Sequence, residues 1–395
     1  MNITNSFRLY FIDAIRAWAI LMMLQGHFVD SLLDPLYRDD TNSIYTTWKF
    51  FRGITAPAFF TVSGFIFMFL LLKEAKPEIV NPRIKKGIKR GLMLIGIGYL
   101  LRTNIFGLLN GEIYPSFYLI DVLHCIGLSI ILLIGMYSYS IHRKSYVLPL
   151  LLAASGILIF LFEPVYKTWN FSFLPDFLAN YFTKVNGSVF TIFPWFGYTA
   201  FGAFMAVLFN KYKNIPHLYF KAIAIILTSG IVFTFLSSGV FFYLYRITQL
   251  RLFLDILNNN HLFIRLGNVL IVFALFMMLE RWLTSKLIMR IGSSTLYVYV
   301  IHFIILYGSF TGLGLYKYFH HSLSPFITVS GALLFLIGVT YLSLLYEKNK
   351  PFIAKTRTRG LFYMQNILLA SYHETSMMAR KAKMLIYKRF GYLKN

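Results

Sequence analysis

Residues 12–33 read IDAIRAWAILMMLQGHFVDSLL, an apolar stretch that is long enough to cross a membrane as one helix. Arg16 and His27 stand eleven residues apart in this stretch. Eleven residues are close to three helical turns, so both side chains fall on one stripe, about 16 Å apart along the axis. Asp13 and Asp30 each lie three residues from one of them and can pair with it. Because ionisable groups in membrane segments usually face a bundle interior or a wet cavity, the pattern predicts a polar track.

A purely structural explanation of the same four residues is open at this stage. In it Asp13 and Arg16 form an ion pair at the membrane edge, and His27 is an interfacial histidine without a chemical role. The two explanations differ in whether other polar residues of the chain converge on His27.

The composition of the chain assigns it to the polytopic membrane proteins. Of its 395 residues 57% are hydrophobic, 18% are aromatic and 13% are charged, and the mean hydropathy is +0.63. That balance excludes an ordinary soluble domain and predicts an all-α protein with about ten transmembrane helices. Their approximate limits are 11–33, 53–72, 90–109, 116–139, 145–163, 188–209, 221–243, 266–283, 292–312 and 326–346. Residues 246–265 leave room for a short interfacial helix.

The distribution of basic residues predicts the orientation. Of the 38 Lys and Arg residues, 27 fall on the side that carries both termini, nine on the opposite side and two within spans. Such a bias is typical of cytoplasmic segments, so both termini are predicted to be cytoplasmic. The net charge of +23 then faces anionic lipid rather than nucleic acid.

Two regions follow from the hydropathy. Apolar sequence ends near Tyr346, which predicts a membrane domain of residues 1–346 and a basic cytoplasmic tail of residues 347–395. The tail alternates apolar and basic residues, as an interfacial helix does, and a flexible tail is the alternative. The first span is not expected to be a removable signal peptide, because Asp13 and Arg16 interrupt its start. The single cysteine, Cys125, excludes an intrachain disulfide and a thiolate metal cluster, and no metal site is predicted.

Several polar residues are predicted to lie at similar depth near the outer surface, although they come from three different spans. His27 is the best candidate for a base, since imidazole titrates near neutrality and Asp30 is placed to orient it. Asp121 and His124 can share a helix face. His302 is expected nearer the middle of the membrane. The candidate catalytic residues are His27, Asp30, Arg102, Asp121 and His124.

Five stretches carry a resemblance to the transmembrane acyltransferase superfamily, which unites acyltransferase-3 proteins with the catalytic domain of heparan-α-glucosaminide N-acetyltransferase. The first is the Arg-x10-His pattern of Arg16 and His27. The others, RGITAPAFF followed by VSG, DVLHCIG, FPWFGY and LYVYVIH, begin at residues 52, 121, 193 and 296. The likeness covers residues 8–346, and the four stretches that begin at residues 52, 121, 193 and 296 resemble the heparan branch most closely.

The chain departs from the superfamily pattern at two points. Ala17 stands where a glycine usually follows the arginine, which alters close packing but not chemistry. The heparan enzyme has an asparagine where His27 stands and carries its active histidine later in the following loop. Here no histidine occurs between Phe28 and Arg52, so the resemblance assigns the catalytic role to His27 on the acyltransferase-3 pattern.

The resemblance implies acyl transfer across the membrane, from cytoplasmic acyl-CoA, most simply acetyl-CoA, to a hydroxyl or amine of an extracytoplasmic sugar or glycan. His27 would serve as base or as acyl carrier, two routes that the sequence does not separate. Basic residues at the cytoplasmic mouth would hold the nucleotide phosphates. These candidate donor-binding residues are Arg16, Lys85, Lys86, Lys89 and Arg90. The expected location is the bacterial cytoplasmic membrane, and a homodimer is left open.

A transporter or flippase is the rival from another class of protein. It would use the same polar track without covalent chemistry. Two features favour the enzyme, namely the signature of the first span and the lack of visible inverted repeats. A purely structural membrane subunit would leave the clustered polar residues without a purpose.

Overall fold

A computed structural model describes residues 9–74 and 81–389 of the chain. The protein is 79% helical, and no strand forms within those residues. The helices of the first half are α1 Tyr10–Leu32, α2 Ser43–Lys73, α3 Pro82–Arg102, α4 Ile105–Leu109, α5 Val122–Ser140, α6 Val147–Leu161, α7 Glu163–Tyr166, α8 Asp176–Ala179 and α9 Ile192–Lys211. Those of the second half are α10 Leu218–Ile231, α11 Ser237–Thr248, α12 Arg251–Asn258, α13 His261–Met278, α14 Lys286–Ser293, α15 Thr295–Tyr307, α16 Leu315–Phe319 and α17 Pro325–Arg389.

Side-chain caps start several of the long helices. The Asn42 side chain accepts hydrogen bonds from the first backbone amides of α2, and Asn81 caps α3, whose first residue is Pro82. Asp121 caps α5 and forms a reciprocal capping box with His124. Such caps satisfy amides that have no partner within the helix, which fixes where each helix begins.

The helices support a polytopic membrane protein. Six of them are long and apolar enough to cross a membrane, and the bent pair α14–α15 adds a seventh if it counts as one span. Three predicted spans fall outside this set, each for a physical reason. α1 has 23 residues but carries the ionisable groups described above, α3 begins with a basic turn, and α6 has only 15 residues. The number ten and the location of the termini therefore stay predictions.

The chain divides into two compact units, residues 1–341 and residues 342–395. The boundary lies inside the single helix α17. The tail is helical as far as Arg389, as an interfacial helix requires, and its position at a membrane stays a prediction. The segment of residues 246–265 contains the short helix α12.

Two glycines bring α2 and α9 into backbone contact. A methyl group added at Gly64 would overlap the carbonyl oxygen of Thr199, and one added at Gly202 would overlap that of Thr61. Only residues without a β-carbon permit such an approach. This pair of helices forms a close-packed base against which α1 and α13 pack.

Candidate active site

Two histidines from distant parts of the sequence meet inside the first compact unit. The ring centroids of His27 on α1 and His302 on α15 are 5.3 Å apart. His302 is fully buried, and neither of its ring nitrogens meets hydrogen-bond geometry with a described group. His27 keeps part of its surface accessible. A buried imidazole such as that of His302 without a hydrogen-bond partner is unusual, because buried polar groups are normally hydrogen-bonded, and it makes the histidine pair a candidate functional site.

A tyrosine orients His27. The Nδ1 atom of His27 lies 2.9 Å from the hydroxyl of Tyr307, which in turn lies 3.3 Å from the hydroxyl of Ser31. If Nδ1 carries the proton and donates it to Tyr307, the Nε2 lone pair is left to act as a base. The expectation that Asp30 orients His27 is wrong, because the hydrogen-bond partner of the imidazole is Tyr307.

Asp30 is instead held by basic groups around the end of α1. Its carboxylate forms an ion pair with Arg52 of α2, and its backbone carbonyl accepts hydrogen bonds from Arg38 and lies 3.2 Å from Nε2 of His321. The Arg52 side chain also lies against Gly26, next to His27. Asp30 thus fixes a cationic side chain beside the histidine rather than the histidine itself.

Arg102, Asp121 and His124 form a second cluster, at the start of α5. His124 Nδ1 lies 3.0 Å from one carboxylate oxygen of Asp121, and Arg102 donates to the other over 3.4 Å. The prediction that Asp121 and His124 can share a helix face is confirmed, since Asp121 caps α5 and its carboxylate contacts the imidazole. A side chain at Gly98 would overlap the His124 ring, which is fully buried and whose Nε2 has no partner among the described residues. No direct hydrogen bond of the described residues joins this cluster to His27.

A cavity of about 280 Å³ lies between α2, α3, α5 and the start of α15. Four basic side chains line it, namely Arg16, Arg83, Lys86 and Arg90. Apolar residues of α2, α3 and α5 form most of the remaining wall. Arg83 also pairs with Glu74 over 2.6 Å, and this hydrogen bond lowers the pKa of the Glu74 carboxyl below its usual range. Since Glu74 stays ionised, it offsets one of the four positive charges.

The bend between α14 and α15 places a helix start at the same cavity. The two helices meet at 66°, and Thr295 and Leu296 of the first turn of α15 line the wall. Arg16 donates to the Thr295 hydroxyl over 3.1 Å and pairs with Asp13 over 3.6 Å, which confirms the predicted ion pair on α1. Free backbone amides at a helix start, with arginines beside them, favour phosphate groups.

The basic side chains of α3 lie on two different faces of the helix. Lys86 and Arg90 face the cationic cavity, whereas Lys85 and Lys89 line a separate apolar groove on the other face of the helix, together with Ile84, Ile88 and Leu92. The structure therefore brings Arg16, Lys86 and Arg90 together and leaves Lys85 and Lys89 outside the site.

Tyr299 connects the cavity to the histidines. It lines the inner end of the cavity, and its ring lies edge-on to His302 with centroids 4.9 Å apart. The sequence offered one signal for this contact. Thr295, Tyr299 and His302 are four and three residues apart and so share one helix face. Nothing in the sequence marked Tyr307, Ser31 or Arg83 as part of the site. Among the described residues no group of His, Cys, Asp and Glu could hold a metal ion.

The candidate site thus combines two histidines in ring contact with a neighbouring cavity that four basic side chains line, and Tyr299 belongs to both. The family model for the catalytic domain of heparan-α-glucosaminide N-acetyltransferase matches residues 8–228, more than half of the chain. The chain belongs to that family, and it is an integral multi-pass membrane protein of an acetyltransferase family. A search of curated proteins finds no match to it. The match ends within α10, so α15, which supplies His302, Tyr307 and Thr295, lies beyond it.

Proposed function

We propose that this protein transfers an acetyl group from cytoplasmic acetyl-CoA to a hydroxyl or amine of a sugar on the other side of the membrane. The observation that carries the proposal is that one residue links the basic side chains to the histidines. Tyr299 lines the cavity together with Arg16, Lys86 and Arg90, its ring lies against His302, and His302 lies against His27. A donor whose phosphates are bound by the basic side chains would thus lie close to the histidine pair.

The residues of the cavity fit coenzyme A. Its phosphates need several cations and hydrogen-bond donors, which Arg16, Lys86, Arg90 and the start of α15 provide. Arg83 adds a charge that is shared with Glu74. The narrow apolar part of the cavity between α2, α3 and α5 suits the pantetheine arm. Coenzyme A supplies the acyl group as a thioester, the activated form from which transfer occurs.

Residues of the chain itself then transfer the proton of the acceptor group. His27 Nε2 would take the proton of the acceptor hydroxyl or amine as that group attacks the thioester carbonyl, and would return it to the departing thiolate. Tyr307 holds the imidazole in the tautomer that this step needs, and the hydroxyls of Tyr307 and Ser31 lie beside His27 as donors for the developing oxyanion. Arg102 is less suited to that task, because Asp121 and the Ser116 carbonyl already occupy it.

A covalent route uses the same residues. His27 would first accept the acetyl group and then pass it to the acceptor, with His302 as the neighbouring base. Brief incubation with labelled acetyl-CoA followed by acid quenching separates the routes, since only the covalent one leaves label on the protein. His302 is unpartnered in the described structure and 5.3 Å from His27, which suits such a second role.

The opposite faces of α3 provide a matched test of the donor site. We expect the double variant Lys86→Ala/Arg90→Ala to raise KM for acetyl-CoA about tenfold or more, with a smaller change in kcat, because each charge-assisted contact contributes roughly 1.5–3 kcal/mol. The measurement is the rate of CoA release at varied acetyl-CoA with a sugar acceptor.

The control for that test is Lys85→Ala/Lys89→Ala, which removes the same charge from the same helix outside the cavity. It is expected to leave KM nearly unchanged. If the two double variants changed KM equally, the cavity would not be the phosphate-binding site. Binding of sugar without any release of CoA would favour transport instead.

We also propose an orientation with both termini in the cytoplasm, ten passes through the membrane and, for the location, a bacterial cytoplasmic membrane. The distribution of basic residues supports the orientation. The helix ends that carry Lys73, Lys86 and Lys211 would all lie on the inner side, where acetyl-CoA is made. The mouth of the cationic cavity lies at those ends.

Single cysteines test this orientation. With Cys125 replaced by serine, a cysteine at position 40 should react with an impermeant maleimide in intact cells, whereas Lys355→Cys should react only after permeabilisation. Asp40 and Lys355 are both exposed, so access of the reagent depends on the side of the membrane. Labelling at 355 but not at 40 would reverse the orientation and remove the transmembrane route of transfer.

A further inference from the structure

A second cavity, of about 410 Å³, lies between α9 and α10, on the opposite side of α2 from the cationic cavity. Aromatic rings form its floor, namely Phe11, Phe65, Phe209 and Phe273. Phe65 contacts the other three with ring centroids 6.1 or 6.2 Å apart. The polar side chains that line the cavity are Tyr212 and Lys221. The cavity is thus an apolar chamber with its polar groups confined to one end.

That end coincides with the basic connection between α9 and α10. The connection carries Lys211 and Lys213, and Lys221 follows in the first turn of α10. All three lysines are exposed, and none lies in an ion pair with a described carboxylate. No Asp or Glu occurs between Asp176 and Asp255 in the sequence. This stretch of the sequence therefore supplies no carboxylate to the three lysines, and Glu280, which accepts a hydrogen bond from the Tyr10 amide, forms no ion pair with them.

The chamber opens where a membrane protein meets lipid. Of the most apolar part of the α10–α11 span only 11% is buried inside the protein. Ile225 lines the chamber, and its side chain is 66% exposed. Phe220, also on α10, is 75% exposed. Large apolar side chains at this exposure are stable only against hydrocarbon. A ligand can therefore enter sideways from the bilayer, with its polar end at the lysines.

We infer that this chamber binds one anionic phospholipid of the cytoplasmic leaflet, with an acyl chain on the aromatic floor and the headgroup phosphate between Lys213 and Lys221. Lysines near a membrane surface attract anionic lipid by about 1 kcal/mol each, and Tyr212 is of the type enriched at the headgroup level. A zwitterionic lipid would fill the chamber equally, but its own cationic group neutralises its phosphate, so the lysines would attract it less. The leaflet rests on the orientation proposed above, whereas the site itself does not depend on the proposed activity.

The test uses the full-length protein in nanodiscs that contain a phosphatidylglycerol with a photoreactive acyl chain in an excess of phosphatidylcholine. We expect crosslinks in the peptides of α9 and α10, and about thirtyfold weaker binding in Lys213→Ala/Lys221→Ala, because two lysines contribute about 1 kcal/mol each. Ile225→Trp, which narrows the chamber and keeps the lysines, should also lower the yield. The matched control is Arg143→Ala/Lys144→Ala in the α5–α6 connection, which should change nothing.

Three outcomes would overturn the inference. Equal labelling by a photoreactive phosphatidylcholine would remove the requirement for an anionic headgroup. An equal loss of crosslinks in the Arg143/Lys144 control would show that the lysines act only through the general surface charge. Displacement of the label by palmitoyl-CoA but not by unlabelled phosphatidylglycerol would assign the chamber to an acyl-CoA chain. Because the readout is binding, an inactive enzyme does not affect any of these results.

Discussion

We expect His27→Ala to lower acyl transfer by at least about 100-fold, the smallest loss typical of a removed general base. His27 is partly accessible and reaches out from a helix whose neighbouring residues are buried, so its side chain contributes more to the site than to packing. The measurement is CoA release by purified protein at saturating acetyl-CoA, with expression and thermal stability recorded in parallel. Retention of more than about a tenth of the activity would mean that another group is the base.

Two further variants keep this result interpretable. His27→Gln retains a hydrogen-bonding group towards Tyr307 but has no titratable nitrogen, so it should be as inactive as alanine while packing better. His142→Ala removes an exposed histidine in the α5–α6 connection and should keep full activity. Loss of activity in His27→Ala with recovery in His27→Gln would show that His27 is structural.

The largest effect on stability is expected from Gly202→Ala. The added methyl group would overlap the carbonyl oxygen of Thr61, and because a backbone atom cannot turn aside, α2 and α9 must move apart. Overpacking of this kind costs about 1–3 kcal/mol, and here the loss of close backbone contact is added to it. The expected result is a clearly lower midpoint of thermal denaturation in detergent, or a protein that no longer purifies as a single species.

Gly96→Ala is the matched control for that prediction. Gly96 also lies inside a long helix, α3, but an added methyl group there meets no atom within 4 Å. Since alanine is the better helix former by roughly 1 kcal/mol, Gly96→Ala should be neutral or stabilising. Similar losses from both variants would show that the α2–α9 contact is looser than described.

Much of the site follows from local sequence, and the reason is helical periodicity. The spacing of Asp13 and Arg16 on one helix predicts their ion pair, and the spacing of Asp121 and His124 predicts that they share a helix face, where their side chains meet. The same logic fails for Asp30 and His27, which share a helix but not a hydrogen bond. Tyr307, a residue on another helix, forms the hydrogen bond with the imidazole instead. No local sequence pattern predicts this contact.

The sequence by itself determined the class of protein and the family. Composition and apolar segments of membrane length require helices that satisfy their own backbone hydrogen bonds, and the signature of Arg16 and His27 indicates the acyltransferases. α1 and α6 are not among the long apolar helices, because ionisable residues lower the apolar content of α1 and because α6 has only 15 residues.

Only the tertiary structure decided which polar residues act together. It joined His27 to His302 and Tyr307, residues some 280 positions apart, and turned Lys86 and Arg90 towards the cavity but Lys85 and Lys89 away from it. The physical reason is that hydropathy and periodicity are properties of one segment. Contacts between helices depend instead on which faces pack, and here backbone approach at Gly64 and Gly202 and the bend before α15 set that packing.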